Sequence, residues 1–325
     1  MPAPRPSIPP AVHAAVEDTL SSLERRHDVS IVFAAARGSH AWGAAGPDSD
    51  YDVGFVFVAT DLRRYAHLEG PPTVLDDSSE PDSDDDGDRG NAPTVDLECH
   101  GWDVTTFARL LAESNQGAID LLRSPVRYRT TVDPAPLRAF VERTFDPIEL
   151  YHDWRAIARN NYRKYLSCHL VRDGEVYPIR ERDDDGFLVD APDGTTRIDA
   201  DDERYAETAT DRTVKRNLTV CRAAMSARYL LATGERGDHD LPALEFEAFL
   251  DEQAPTVFDA DRIDRARDLL ERKRRGEGSE VVGDLVGRSF ATPPRAIDPS
   301  IHARGGPDRD RLDAFVDDLI DASRG

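Results

Sequence analysis

The chain is poor in several things that would place it in familiar classes. Among 325 residues there are three cysteines, Cys99, Cys168 and Cys221, too few to pair completely and without Cys-x-x-Cys spacing. This excludes a disulfide-stapled secreted domain and points to a reducing cytoplasm. Lysine is nearly absent: Lys164, Lys215 and Lys273 are the only three, so 38 of the 41 basic residues are arginine. Positive charge as a whole is in deficit, since 63 acidic residues give a formal net charge of −22. That balance argues against a broad cationic surface for duplex DNA or for an anionic membrane. Long hydrophobic runs are missing as well. The longest, Ile31 to Ala36 and Val53 to Ala59, fall far short of the about 20 residues of a membrane span, and Met1 to Pro10 has no apolar signal core. The expectation is a soluble, cytoplasmic protein. Acid excess with arginine in place of lysine is also the composition of a halophilic protein, in which high salt screens the self-repulsion.

What is present is a chain long enough for two domains. Val12, Ala15, Val16, Leu20 and Leu23 recur at three- and four-residue steps, which predicts a helix over about 11–26. Ile31 to Ala35 reads as a short buried strand, Gly38 to Ser49 as a turn-rich loop, and Val53 to Val58 as a second strand. From about 69 to 93 charge is dense and apolar residues are scarce, the composition of a disordered acidic loop. Thr94 to Cys99 is the expected third strand, followed by a helix from Val104 to Leu111 with Asp103 or Thr105 as its cap. The first domain is expected to cover 1–130. The second, 131–325, is expected to be mainly helical over 151–170, 211–232, 243–252, 261–275 and 309–323. Asp-Gly turns near Gly174, Gly186 and Gly194 suggest a hairpin-like acidic insertion over about 173–207.

The chemistry is concentrated in Arg37-Gly38-Ser39-His40-Ala41-Trp42-Gly43 and the following Asp50-Tyr51-Asp52. Two carboxylates two residues apart on a strand share a face and suit a divalent cation. Composition alone yields on the order of 12 acid-x-acid triplets, so the triplet carries weight by position only. Asp82-Ser83-Asp84 and Asp308-Arg309-Asp310 read as solvated surface, whereas Asp50 and Asp52 open an apolar strand just past a Gly-Ser turn. That turn offers backbone N–H groups and a hydroxyl to a phosphate, and its glycine lets the phosphate approach the main chain. A third carboxylate is expected from a neighbouring strand. Asp96 and Glu98 both face away from Val95, Leu97 and Cys99, and their spacing does not choose between them. His40 reads equally as a phosphate contact or a turn cap, and Cys99 with His100 lacks the further ligands of a zinc site.

Gly38-Ser39, Asp50-x-Asp52 and the later acidic strand together resemble the nucleotidyltransferase superfamily of DNA polymerase β. With Gly101-Trp102-Asp103-Val104, Ser114-Asn115, the run Leu121 to Tyr128, and Leu244-Glu245-Phe246-Glu247, the sequence is similar to a predicted nucleotidyltransferase family associated with RNA-repair pathways. The resemblance implies an α+β fold, a nucleotidyltransferase-type mixed β-sheet with flanking helices followed by a mainly helical domain. It implies metal binding (Mg²⁺ or Mn²⁺) by Asp50 and Asp52, with Glu98 as the third acid when aligned on Gly101-Trp102-Asp103. Nucleotide contacts are implied for Gly38, Ser39 and His40, and for Lys215 and Arg222, which resemble the family's basic pair. Relatives often carry arginine at the positions of His40 and Gly54, proline at Gln116 and glutamate at Asp120. The implied activity is transfer of a nucleoside monophosphate from a nucleoside triphosphate to an acceptor hydroxyl, with an RNA 3′ end favoured as acceptor. Two other classes fit the same motifs: a nucleotide-binding regulator without turnover, and a transferase of toxin–antitoxin type that modifies a protein.

Overall fold

The computed structural model describes residues 8–76, 96–183, 185–208 and 210–324. Their contacts divide the chain into two compact units. The first holds Met1–Leu150, Ala243–Ala248 and Ala303–Gly325, the second Tyr151–Pro242 and Phe249–His302. The helical pattern beyond Asp133 thus begins inside the first unit, and the C-terminal helix Arg309–Ala322, where Arg311 lies over the Phe140 ring, belongs to that unit too. Asp308 accepts from Arg311 N–H as the cap of that helix.

In the first unit, helix α1 (Pro10–His27) starts with proline in its first turn, where the missing N–H costs nothing. Its buried residues are Val12, Val16, Leu20 and Leu23, the stripe the periodicity predicts. Strand β1 (Val29–Ala36), the single turn α2 (Gly38–Ala41), β2 (Tyr51–Ala59), β3 (Val74–Asp76), β4 (Leu97–Asp103), α3 (Val104–Ala112), α4 (Gln116–Arg123), β5 (Arg127–Thr130) and α5 (Ala135–Thr144) follow. The strands form one sheet in the order β3-β4-β2-β1-β5. β2 and β4 run parallel and the other pairs antiparallel, so the sheet is mixed.

Alternation along β2 sends Val53, Phe55 and Phe57 into a core built with the α1 stripe, Ile31, Ala34, Leu75 and Cys99. Asp103 closes the sheet onto α3: its Oδ1 accepts from Thr105 N–H at 2.9 Å, and its Oδ2 accepts the Tyr65 hydroxyl at 2.5 Å. Two expectations need correction. The acidic stretch is not featureless, because Val74–Asp76 pairs with Trp102–His100 of β4, while 77–95 lies outside the described residues. The third strand runs through His100-Gly101-Trp102-Asp103 rather than stopping at Cys99. It can do so because Gly101 leaves room for the Phe55 ring, which a β-carbon there would overlap.

In the second unit, helix α6 (Pro147–Asn161), whose first turn still belongs to the first unit, ends in a single π turn, Tyr162–Leu166. The helix expected to reach Leu170 stops here, since Ser167 turns to an extended conformation and His169–Arg172 becomes strand β6. β7 (Glu175–Asp183), β8 (Gly186–Ala191), β9 (Gly194–Asp199) and β10 (Ala206–Thr208) complete an antiparallel sheet ordered β10-β6-β7-β8-β9. The β6–β7 hairpin turns on Asp173 and Gly174, both at positive φ, the requirement of a tight two-residue turn. Helix α7 (Val214–Glu235) is buried on nearly every side, as befits a central helix. Among the described residues no helix is long and apolar enough to cross a membrane.

Candidate active site

Strand β1 hands over to the glycine turn at Arg37, whose backbone N–H donates to the Asp52 carbonyl at 2.8 Å and so fixes the turn against the start of β2. Gly38 then takes φ +53°, a left-handed conformation natural to glycine. A β-carbon at Gly38 would overlap the Asp52 carboxylate. Glycine is therefore needed twice, for the backbone conformation and for the approach of the acid. Ser39 Oγ is buried and has no hydrogen-bond partner among the described residues. His40 stacks on Tyr51, with ring centroids 4.4 Å apart and planes 14° from parallel. Ser49 Oγ accepts from Gly46 N–H at 3.0 Å and helps to close the loop that leads into β2.

The parallel register sets Asp52 abreast of Glu98, Gly54 of His100 and Val56 of Trp102. With side chains alternating, these six residues share one face and Val53, Phe55 and Cys99 point to the core side. Asp50 stands just before β2, two residues from Asp52. Asp96 stands just before β4, where its carbonyl accepts from Tyr51 N–H at 3.0 Å. The spacing alone left Asp96 and Glu98 equivalent; register makes Glu98 the residue beside Asp52, with Asp96 one step further out. Cys99 and His100 face opposite sides of β4.

Among the described residues, no three His, Cys, Asp or Glu side chains gather into a ready-made metal cage. The donor set still fits Mg²⁺ or Mn²⁺. Such cations take hard oxygen ligands and are commonly held by one or two carboxylates together with substrate phosphates, rather than by an all-protein cage.

Sequence reasoning passed over Arg37. Its aliphatic stem lies across Gly54, where a β-carbon would press on Arg37 Cδ and on Leu121 of α4. Its guanidinium sits 5.1 Å from the centre of the Trp102 ring. Burial pushes Arg37 below the usual arginine value, and the nearby Asp52 and Asp120 carboxylates pull it back. A cation is thereby held on the face that carries the acids. Burial and Arg37 also lower His100, against the pull of Asp76. Gly54 was the available signal, because a glycine inside an apolar strand marks close approach by another group. At the entry to α4, Asn115 Oδ1 accepts from Ala118 N–H as the cap, and Asp120 Oδ2 accepts from Gln116 Nε2 at 2.6 Å.

Lys215 and Arg222 stand on α7 and belong to the second unit, whereas Asp50, Asp52 and Glu98 belong to the first. Lys215 is exposed, its backbone N–H bound to the Gly278 carbonyl at 2.9 Å. The Arg222 guanidinium lies 4.7 Å over the Trp154 ring.

An uncharacterized protein of Bacillus subtilis (strain 168), YcgL, is similar to this chain. It is 29% identical over 157 residues, which are 48% of this chain and 54% of that protein. The chain thus matches about half the length of that curated relative. No solved structure matches it. The mixed sheet, the glycine turn against Asp52 and the acid pair on adjacent parallel strands agree with a sequence match that runs over residues 12–318, and the chain belongs to the RNA repair pathway DNA polymerase beta family.

Proposed function

We propose that the chain transfers a nucleoside monophosphate from a nucleoside triphosphate to an acceptor hydroxyl, with an RNA 3′ end as the acceptor. The observation that carries this reading is the placement of Asp52 abreast of Glu98 and against the bare backbone of Gly38. Family membership supports nucleotidyltransferase chemistry linked to RNA repair. In the proposed reaction the acceptor oxygen attacks the α-phosphorus, its proton passes to Glu98, and the bond to pyrophosphate breaks. Mg²⁺ or Mn²⁺ held by Asp50, Asp52 and Glu98 would lower the hydroxyl's pKa and neutralise charge on the attacking and leaving oxygens. Backbone N–H groups of the Gly38-Ser39 turn would meet a phosphate, and the buried Ser39 hydroxyl, otherwise unpartnered among the described residues, donates to a phosphate oxygen. Arg37, fixed by Trp102, balances negative charge on the acid face.

The test is to incubate the protein with each α-labelled triphosphate, Mg²⁺ or Mn²⁺, and total cell RNA or extract, and to follow pyrophosphate release and the labelled fraction. The expected result is label in RNA and pyrophosphate well above an Asp52→Asn control. Triphosphate binding without pyrophosphate from any acceptor overturns the transfer reading, and label in protein alone overturns the RNA acceptor.

A further inference from the structure

The second unit carries a line of arginines that the acid excess of the chain leaves unneutralised. Arg155, Arg159 and Arg163 recur every fourth residue along α6 and the π turn that ends it, so they follow one helix face at steps of about 6 Å. Many arginines here are met by carboxylates, as Arg129 is by Glu17 and Glu24 and Arg272 by Glu277 and Glu280. Among the described residues, these three form no ion pair. Their anchors are neutral instead: Arg155 Nε donates to the Pro293 carbonyl at 3.0 Å and Arg163 Nη2 to the Val176 carbonyl at 2.9 Å. A carbonyl anchor fixes a guanidinium without cancelling its charge, and leaves its other N–H groups for a second acceptor. Arg163 Nε is buried with no partner among the described residues, and Arg159 is exposed.

Like charges run on from this row. Arg155 is opposed by Arg159 and Arg295, and Arg163 by Arg159, while Arg288 is opposed by Arg163 and Arg180. Glu175 on β7 acts on Arg163 in the opposite sense without forming an ion pair, and Asp190 holds Arg180 and Arg288. Next along the chain, Tyr165 is flanked by Lys164 and Arg216, whose charges lie 4.9 and 5.0 Å from its ring centre. An anion laid along the row relieves their repulsion.

We infer that this row is a phosphate track for single-stranded RNA. The inference rests on the transfer reading for the role of that RNA as acceptor. Planar forks repeated along one helix and its closing turn suit the successive phosphates of one extended strand. Carboxylates of an acidic peptide carry no such fixed spacing, and a single row addresses one strand rather than both backbones of a duplex.

The test uses the full-length protein and a fluorescein-labelled single-stranded oligoribonucleotide without triphosphate, with binding followed by anisotropy across a salt series. Each phosphate contact contributes about 0.7 to the slope of log affinity against log salt for single strands. Replacing all three arginines (R155Q, R159Q, R163Q) is expected to flatten the slope by about 2 and to weaken low-salt binding on the order of 10- to 100-fold. Binding of a fluorescent triphosphate stays unchanged. Exposed Arg159→Gln alone is expected to remove about 0.7 of the slope, which keeps the test usable if the triple variant misfolds, and lysine at the three positions restores most of it. No RNA binding by the unaltered protein, an unchanged slope in both Gln variants, or binding of an acidic peptide in preference to RNA overturns the track. Pyrophosphate release is scored separately: its absence alongside an arginine-dependent slope overturns the transfer reading and leaves the track standing.

Discussion

The two sheets of this molecule are built to different standards. β1 and β2 of the first unit are buried along nearly their whole length, with aromatic and β-branched side chains packed against α1. The second sheet has a core of three fully buried apolar side chains, Leu170, Val189 and Ile198, helped by half-buried Tyr177, Ile179, Phe187 and Tyr205. Its surface is tied by exposed ion pairs, Arg180 to Asp190, Arg197 to Asp183 and Arg182 to Glu207, contacts that contribute little in high dielectric and weaken with salt. The acids therefore stand at the ends of strands that cannot shift without opening a packed core. Close placement of the acids is what the proposed transfer would require, and the first sheet is the more firmly packed of the two.

That contrast makes Asp52→Asn the most severe change to activity and one of the mildest to stability. Nucleotidyl transfer is expected to fall on the order of 1,000-fold or more, with a melting temperature within a few degrees of the original, because the side chain is outside the core. Full activity in this variant removes the metal assignment. Gly38→Ala probes the same acid from the other side. The left-handed φ costs about 1–2 kcal/mol for a residue with a β-carbon, and displacement of the Asp52 carboxylate is expected to lower transfer about 100-fold. An alanine variant with unchanged rate would mean that the close approach has no functional weight.

Amide hydrogen exchange compares the sheets directly. Protection in β2 is expected to exceed that in β8 and β9 on the order of 100-fold, and equal protection would contradict the difference in packing. The smallest effect concerns acid. His27 ends α1 with Nε2 buried and unpartnered among the described residues, and burial with the neighbouring Arg26 holds it below its ordinary value of 6.5. The unfolded chain therefore takes up this proton at higher pH than the folded one, and stability falls as pH drops through 6.5 and below. Melting between pH 7.5 and 5.5 is expected to drop slightly less in His27→Gln than in the original.

Much of the first unit was legible because period and burial agree there. The α1 stripe and the apolar runs of β1 and β2 each have one simple solution, and Asp103 was one of two named caps for α3. β3 escaped because three residues with two apolar side chains are too few to show a period. The extension of β4 escaped because Gly101 looks like a break until the Phe55 ring is seen to fill its place. The spacing of Asp96 and Glu98 set their shared face but not their partner, since only strand register decides which one stands beside Asp52. Arg37 gave no sign because its role depends on what is absent at Gly54, where a missing side chain makes room for the arginine stem. In the second unit the Asp-Gly turns announced hairpins, yet joining them into one sheet depends on β6, which apolar spacing had assigned to a helix.

β2 has two sides, Val53, Phe55 and Phe57 packed into the core while Asp52 and Gly54 lie on the face to which the proposed reaction is assigned. A genetic screen that scores only loss of product will mix these classes, since a truncated phenylalanine and a missing carboxylate yield the same silent colony. Ranking variants by soluble yield before ranking them by output would pull the two populations apart, one residue in every pair.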